Sequence, residues 1–400
     1  MGITEPSPRS WQFVPLPLSL YLTGLLPRIS SSNAGTLGDE IGDRITTGVG
    51  LALIVGALGD LALQICRTTY RVAYLTLAPG YLEGRSQSGI LSIMGVMPAF
   101  ILSVRGITVM IATFWKRDSL PDLFRETEKL LTVTFLGDFL TGTEFRKFRF
   151  FSLIFLLPLQ QFIGNYLNPM PVQLYAWQYA CVYAVLNVFP FLLSQHVYIG
   201  GVVLSWLLRK SIQTLKHELI HTIEVIRNGS GISCSSDRYT LLTEQLRRWE
   251  RILFRANCVA SRINHSYGWV FLATHVFDAL NMLCLSSWIF SVMDTIGEYA
   301  FALGSVIVFG VYATVFPIPM VMVAEEANRL AKLVHMLITF EAPLNDDEKE
   351  ASSWRDRMCR FEMMCLNHSC MLSAVTVEFS RRRLVGVSFL AQLPPSSQNL

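Results

Sequence analysis

The stretch from Ile45 to Cys66 reads ITTGVGLALIVGALGDLALQIC and decides the class of fold. It is long enough to cross the hydrocarbon core of a bilayer, which takes about 20 mostly apolar residues in a helix. Asp60 is its only charged side chain. The stretch therefore predicts a membrane-spanning helix rich in Gly, Ala and Leu.

The composition of the whole chain agrees with a membrane location. Hydrophobic residues make up 52% of the 400 positions and charged residues only 16%, where soluble domains carry about 25% charged residues. The formal net charge of +3 is too small to indicate a nucleic-acid partner. We therefore expect an all-α, polytopic membrane protein in contact with the lipid bilayer, with no nucleic acid bound.

Five further stretches have the apolar character of membrane spans. The six predicted spans are Ile45–Cys66, Ile90–Phe114, Phe150–Leu167, Val172–Leu208, Trp269–Val292 and Tyr299–Val323. In the fourth span we expect Pro190 to kink the helix and Gly200-Gly201 to loosen it. The charged segment between the fourth and fifth spans is mostly helical in pattern.

The distribution of Lys and Arg orients these spans. Alternate loops hold 28 of these side chains against 3, and the richer side faces the cytoplasm. The N-terminus is therefore predicted to be cytoplasmic, which inverts the topology of a G-protein-coupled receptor. The predicted segments are 1–43, a cytoplasmic N-terminus with a broken apolar lead-in; 44–208, spans one to four; 209–268, a cytoplasmic helical anchor; 269–323, spans five and six; 324–383, a cytoplasmic anchor and linker helix; and 384–400, an incomplete seventh helix and tail.

Ionisable side chains inside the spans are candidates for function, because a lone charge in hydrocarbon costs on the order of 3 kcal/mol. The alternative is that Asp60, near the outer end of its span, reaches water while the others pair across helices. No Ser-His-Asp set and no His-Glu-x-x-His motif accompanies them, so we expect no catalytic residues and no enzyme activity. The ionisable residues in or near the spans are Asp60, Arg105, His196, His275 and Asp278.

Tyr175, Tyr179 and Tyr183 recur every four residues, which places them on one face of the fourth span. They form either an aromatic belt at the level of the lipid headgroups or the wall of an outward-facing ligand pocket. A phenol suits a pocket because it joins an apolar ring to a hydroxyl group. Further candidates to line this pocket lie near the outer ends of their spans: Gln161, Asn281, Trp288 and Ser305.

Cys359, Cys365, His368 and Cys370 have the side chains of a soft-metal site. Their spacing matches no familiar zinc pattern, and we interpret them as free thiols on an amphipathic cytoplasmic helix. No metal and no cofactor is therefore expected.

The stretch MLSAVTVEFSRRRLV, from Met371 to Val385, forms an amphipathic lead-in to one more span. The apolar residues that follow, Leu384 to Leu393, would extend only about 15 Å as a helix, half of a bilayer core. Pro394-Pro395 then stops the helix. We therefore expect the seventh helix to be truncated or variant.

Four short motifs follow one another along the chain in a recognisable order. They are Gly24-Leu25-Leu26-Pro27; Ile263-Asn264 with Tyr267-Gly268; Glu325-Glu326-Ala327; and Ser373-Ala374 followed by Phe379 and Arg383-Leu384. In order and spacing these motifs resemble the insect gustatory receptor family, which is related to the insect odorant receptors.

The resemblance implies a gustatory (taste) receptor in the plasma membrane, a subunit of a tetrameric, ligand-gated, non-selective cation channel that detects a small-molecule tastant. It implies that the cytoplasmic helices anchor the homo- or hetero-tetramer. The last motif would then link that anchor to a pore lined by the seventh helix. The family's Thr-Tyr-x-x-x-x-x-Gln-Phe pore motif is absent, so we expect no ligand-evoked current from this chain alone. The alternatives are a six-span secondary transporter and a non-conducting scaffold or regulatory subunit.

Overall fold

The computed structural model describes residues 37–77, 89–134, 189–227, 235–291, 303–307, 309–310, 313–340, 348–367, 370, 372–374 and 377–378. This part of the chain is helical apart from one short strand pair, in agreement with the predicted fold class. Its long elements are α1 (Leu37–Leu77), α2 (Gly89–Trp115), α3 (Leu120–Val133), α4 (Phe189–Arg227), α5 (Ser235–Ser291), α6 (Ile318–Phe340), α7 (Glu348–Asn367), β1 (Ser373–Ala374) and β2 (Val377–Glu378).

Two helical stretches of the described chain are long and apolar enough to cross a membrane, judged by length and composition. They are Arg44–Tyr70 in α1 and Leu242–Ser287 in α5, and the shorter Phe100–Trp115 in α2 is also apolar. The side chains of Ile45 and Val55 on α1 are 62% and 66% exposed. Helix α1 therefore turns apolar side chains away from the rest of the chain, as a lipid-facing helix does. The third predicted span, Phe150–Leu167, lies outside the described residues.

Helix α5 packs against most of the other described elements. It runs without interruption from Ser235 to Ser291 and contacts α2, α3, α4, α7 and β1. Trp249, Ile263 and Phe271 along its length are buried in one hydrophobic core. The predicted boundary at residue 268 falls inside this helix, so the charged segment and the fifth predicted span are one continuous α-helix.

Gly201 lets α4 approach α5 closely. A Cβ atom added there would lie 2.6 Å from Cε1 of Phe271 and 2.7 Å from Cδ1 of Tyr267, which is closer than carbon atoms can pack. The rings of Tyr267 and Phe271 are stacked, with centroids 5.8 Å apart. The expectation that Gly200-Gly201 loosens the helix is therefore wrong at Gly201, where the missing side chain makes room for two aromatic rings.

Helix α3 is amphipathic: it buries its apolar face, and two of its acidic side chains pair with arginines of α5. A proline at its N-terminal turn is well placed, because that position lacks an intrahelical hydrogen bond in any case. Glu126 accepts a hydrogen bond from Arg255 at 2.7 Å, and Asp122 pairs with Arg262 at 3.2 Å. Partial burial alone would raise the pKa of Glu126, but hydrogen bonds from Lys129 and Arg255 outweigh it and hold the pKa below its ordinary value.

Helix α6 begins at Ile318, after a turn that ends at Pro317. The sixth predicted span, drawn without a break from Tyr299 to Val323, is therefore wrong in its last part. Proline explains the break, because residues that precede it avoid the helical conformation. The carbonyl of Pro317 accepts the backbone N–H groups of Met320 and Val321 and so starts the new helix.

Glu326 links α6 to α4 through hydrogen bonds. Its carboxylate accepts hydrogen bonds from Lys216 at 2.8 Å and from Gln213 at 3.2 Å. Burial acts to raise the pKa of Glu326, but the hydrogen bonds and the positive charges of Lys216 and Arg329 outweigh it, so the pKa lies below its ordinary value.

The C-terminal stretch turns back on itself in a short hairpin. Strands β1 and β2 pair antiparallel, with Ser373 opposite Glu378 and Ala374 opposite Val377. The prediction of a linker helix over 324–383 is therefore wrong after Asn367, where α7 ends. Ser373 donates its backbone N–H to Oδ1 of Asn264 on α5, and this tertiary contact, which a local sequence pattern does not contain, holds the segment in extended form.

Candidate functional site

A buried ion pair joins three helices in the apolar half of the described chain. Arg105 of α2 and Asp278 of α5 lie 2.8 Å apart, from Nε to Oδ1, and their side chains are 0% and 1% exposed. Arg105 also donates a hydrogen bond from Nη1 to the hydroxyl of Ser194 on α4, at 3.1 Å. The two charges thus neutralise each other, as the expectation of pairing across helices requires.

Asp60 is held in a second polar contact between α1 and α2. Its carboxylate accepts hydrogen bonds from the hydroxyl of Ser103 at 2.5 Å and from the amide of Gln64 at 3.5 Å. Asp60 is only 4% exposed. The expectation that this carboxylate reaches water is therefore wrong, because neighbouring polar side chains take the place of water.

Neutral polar side chains without hydrogen-bond partners neighbour the ion-pair residues along α4 and α5. Thr274 and Asn281 lie four residues before and three after Asp278, hence on the same face of α5. Both side chains are fully buried, and neither the Thr274 hydroxyl nor the two amide atoms of Asn281 has a partner. On α4, Gln195 follows Ser194, is 4% exposed and likewise leaves both amide atoms unpaired. Buried polar atoms are almost always hydrogen-bonded, so this cluster is the strongest candidate for a ligand site in the described chain.

Aromatic side chains pack beside this cluster. Tyr198 lies one turn after Ser194 on α4 and is fully buried. Its ring meets His275 edge-on with the centroids 5.8 Å apart, and Phe271 edge-on at 6.2 Å. Phe316 lies at 6.3 Å on another part of the chain. The ion pair and its neutral neighbours are therefore flanked by a rigid apolar wall, the surroundings usual for small-molecule sites.

Of the residues predicted to line a ligand pocket, Asn281 belongs to this cluster. Ser305 is buried in the short helical stretch 303–307. Trp288 lies on α5, but its side chain is outside the described part of the structure, as are Gln161 and the three tyrosines Tyr175, Tyr179 and Tyr183. Sequence reasoning missed Thr274, Ser194 and Gln195. The spacing of Thr274, Asp278 and Asn281 along an apolar helix was the signal that could have found this polar face.

The other end of α5 holds the C-terminal segment. Oδ1 of Asn264 accepts the backbone N–H of Ser373 at 2.8 Å, and Oδ1 of Asn257 accepts the thiol of Cys370 at 2.9 Å. Asn257 and Asn264 are seven residues apart and lie on one face of the helix. Ile263 beside them is completely buried. We call these two contacts the asparagine clamp.

Two of the motif positions, Asn264 and Ser373, thus meet directly in the clamp. Ile263 packs in the adjacent core, and Ala374 pairs with Val377 in the hairpin. Phe379, Arg383 and Leu384 lie outside the described residues.

The cysteines near the clamp differ in exposure. Cys365 and Cys370 are buried, whereas Cys359 is exposed. Burial raises the pKa of the Cys365 thiol to about 12, with a further contribution from the nearby Glu362. Burial also raises the pKa of Cys370 to about 12. Within the described residues no three potential metal ligands lie together, and His368 is not among those residues.

The fold has a counterpart among solved structures. Among solved structures, the chain is similar to the insect olfactory receptor OR5 from Machilis hrabei, with a TM-score of 0.58 over 96% of each chain. The two sequences are 11% identical, so the likeness establishes a shared fold. No protein-family profile matches the sequence, and no curated protein does.

Proposed function

We propose that the chain is a chemosensory receptor, a subunit of a ligand-gated, non-selective cation channel in the plasma membrane. The observation that carries this proposal is the likeness in fold to an insect olfactory receptor along 96% of both chains. Similarity over 96% of both chains favours a shared overall architecture over a shared local motif. The apolar outer face of α1 and the low charge content are consistent with a multi-pass location in the bilayer.

Gustatory function is the finer form of the proposal. It rests on the four short motifs, two of which, around Asn264 and Ser373, contact each other through the asparagine clamp. The ligand would be a small-molecule tastant and the assembly a homo- or hetero-tetramer joined through the cytoplasmic helices. No catalytic activity is proposed, because no nucleophile and base are arranged together among the described residues of the candidate site.

The proposed mechanism is a shift between a closed and an open arrangement. A ligand that contacts α2, α4 and α5 more favourably in the open arrangement raises the population of that arrangement by the difference in binding free energy. Helix α5 carries both the ligand candidate Asn281 and the clamp residue Asn264. A displacement of this helix therefore moves both residues.

Electrical recording tests the proposal. The chain is expressed in cells alone and together with a conducting receptor subunit of the same fold, and current is measured while candidate tastants are applied. We expect no ligand-evoked current from the chain alone and a new ligand response on co-expression. The variant Asp278→Asn should reduce the new response, while Asn328→Leu, on an exposed position of α6, should preserve it.

A secondary transporter and a non-conducting scaffold are the competing proposals. Coupled uptake of solute into liposomes that contain only the purified chain would favour the transporter. Chemical crosslinking that yields four-fold assemblies supports the channel, whereas a monomer contradicts it. A scaffold would assemble with receptor subunits but leave their ligand response unchanged.

A further inference from the structure

We infer that the buried cluster between α2, α4 and α5 binds a small uncharged ligand that carries several hydroxyl or amide groups. The inference rests on the proposed receptor function and adds the chemical class of the ligand. Three features of the cluster carry it: its charges are already paired, its unpaired groups are neutral, and those groups include both donors and acceptors.

The charges of the cluster are engaged within the protein. The guanidinium of Arg105 lies 2.8 Å from the Asp278 carboxylate and also donates to Ser194. A charged ligand would have to displace one partner of this buried pair, which leaves the other charge uncompensated. The site therefore discriminates against carboxylates and ammonium compounds.

The groups left over are those of two amides and a hydroxyl. Asn281 and Gln195 each present an unpaired amide nitrogen, a donor, and an unpaired amide oxygen, an acceptor. Thr274 adds a hydroxyl without a partner. A ligand hydroxyl both donates and accepts, so a polyol matches this set. An aliphatic ligand would leave the same groups buried and unpaired, and that costs binding free energy.

Binding to the purified full-length chain in lipid nanodiscs tests the inference. Radiolabelled sorbitol is the probe, and unlabelled sorbitol, gluconate and hexanol, which share its carbon-chain length, are the competitors. We expect saturable sorbitol binding that unlabelled sorbitol displaces and that gluconate and hexanol leave in place. Asn281→Leu and Gln195→Met should each weaken binding about tenfold or more, as expected when a paired polar group is lost from a site. The exposed control Asn328→Leu should bind like the parent chain.

Thermal unfolding separates lost binding from lost folding. Because Asn281→Leu removes an unpaired buried amide, it should raise the Tm of the ligand-free chain, on the order of 2 °C. A more stable chain that no longer binds sorbitol therefore supports the inference.

Two results would overturn the ligand class and spare the receptor proposal. One is binding of hexanol in preference to sorbitol, and the other is sorbitol binding that Asn281→Leu and Gln195→Met leave unchanged. Failure of every probe to bind also rejects the inference. The receptor proposal falls separately, if co-expression with a conducting subunit yields no ligand-dependent change in current.

Discussion

Oδ1 of Asn264 accepts the backbone N–H of Ser373 at a distance of 2.8 Å. The two residues are 109 positions apart in sequence, and this single bond ties the middle of α5 to the strand β1. A side-chain acceptor here replaces the backbone carbonyl that a helix would offer, so the C-terminal segment is fixed in extended form at this point.

Replacing Asn264 with Ala should loosen the asparagine clamp. The lost hydrogen bond is worth about 1 kcal/mol of unfolding free energy, and its loss should expose the neighbouring segment. In a background without the exposed Cys66 and Cys359, maleimide should label Cys370 faster in Asn264→Ala than in the parent. Asn264→Asp keeps an oxygen acceptor and should label slowly. Equal labelling of Ala and Asp variants would argue against the bond.

The buried ion pair should show strong coupling between its partners. Asp278→Asn or Arg105→Met alone leaves one buried charge without its counter-charge and should cost roughly 3–5 kcal/mol of stability. The double variant Arg105→Met/Asp278→Asn removes both charges and should recover most of that loss. Thermal unfolding of the four proteins measures the coupling. Additive losses would show that the two side chains do not interact.

Gly201→Ala should destabilise the packing of α4 against α5. The added methyl group would overlap the rings of Phe271 and Tyr267, and overpacking of this kind costs about 1–3 kcal/mol. Gly59→Ala on α1 is the matched control, because a Cβ there meets nothing within 4 Å. That control should be neutral or slightly stabilising, since Ala favours a helix over Gly. Phe271→Leu should rescue Gly201→Ala in part, as judged by Tm.

Glu326 should make the stability of the chain depend on pH in the acidic range. Its pKa in the folded chain lies below the ordinary value of 4.5. The stabilisation is therefore complete above that ordinary value and is lost as the pH falls through the lower, folded value. Unfolding measured from neutral to acidic pH should show this loss in the parent and a weaker slope in Glu326→Gln. An identical slope in both would exclude Glu326 as the source.

The buried thiol of Cys370 should be ionised to only a small fraction at mildly alkaline pH. Because its pKa is raised to about 12, alkylation of the folded chain at mildly alkaline pH should be far slower at Cys370 than at the exposed Cys359. Denaturant should remove the difference. Mass spectrometry of the alkylated peptides measures both rates, and comparable rates in the folded chain would contradict the burial.

The sequence predicts the helical class and the pairing of charges across helices well, because both follow from local composition. An apolar helix must hide its charges, whichever neighbour supplies the partner. The sequence does not identify that neighbour. The pairing of Arg105 with Asp278 depends on how α2 and α5 are placed in space. Asp60 shows the same limit: its position along the span predicts contact with water, whereas the folded chain buries it against Ser103 on another helix.

The hairpin and the close approach at Gly201 escaped sequence reasoning for different reasons. At the hairpin the amphipathic pattern of the stretch favours a helix, and Val375-Thr376, the two residues between the strands, are not typical turn formers. At Gly201 no local signal exists, because a glycine that loosens a helix and one that admits a neighbour look alike. Only the rings of Tyr267 and Phe271 across the interface tell them apart.

Because α5 is continuous, a small tilt of this helix at one residue moves a distant residue by an amount that the helix length determines. Asp278 and Asn264 lie fourteen residues apart on it, which corresponds to roughly 21 Å along the helix axis. The donor–acceptor distance of this hydrogen bond is 2.8 Å, and the bond is lost once that distance exceeds about 3.5 Å. A displacement of under 1 Å is therefore enough to break it. Over this length, a tilt of about 2° about the ion pair suffices to open the contact between Asn264 and Ser373.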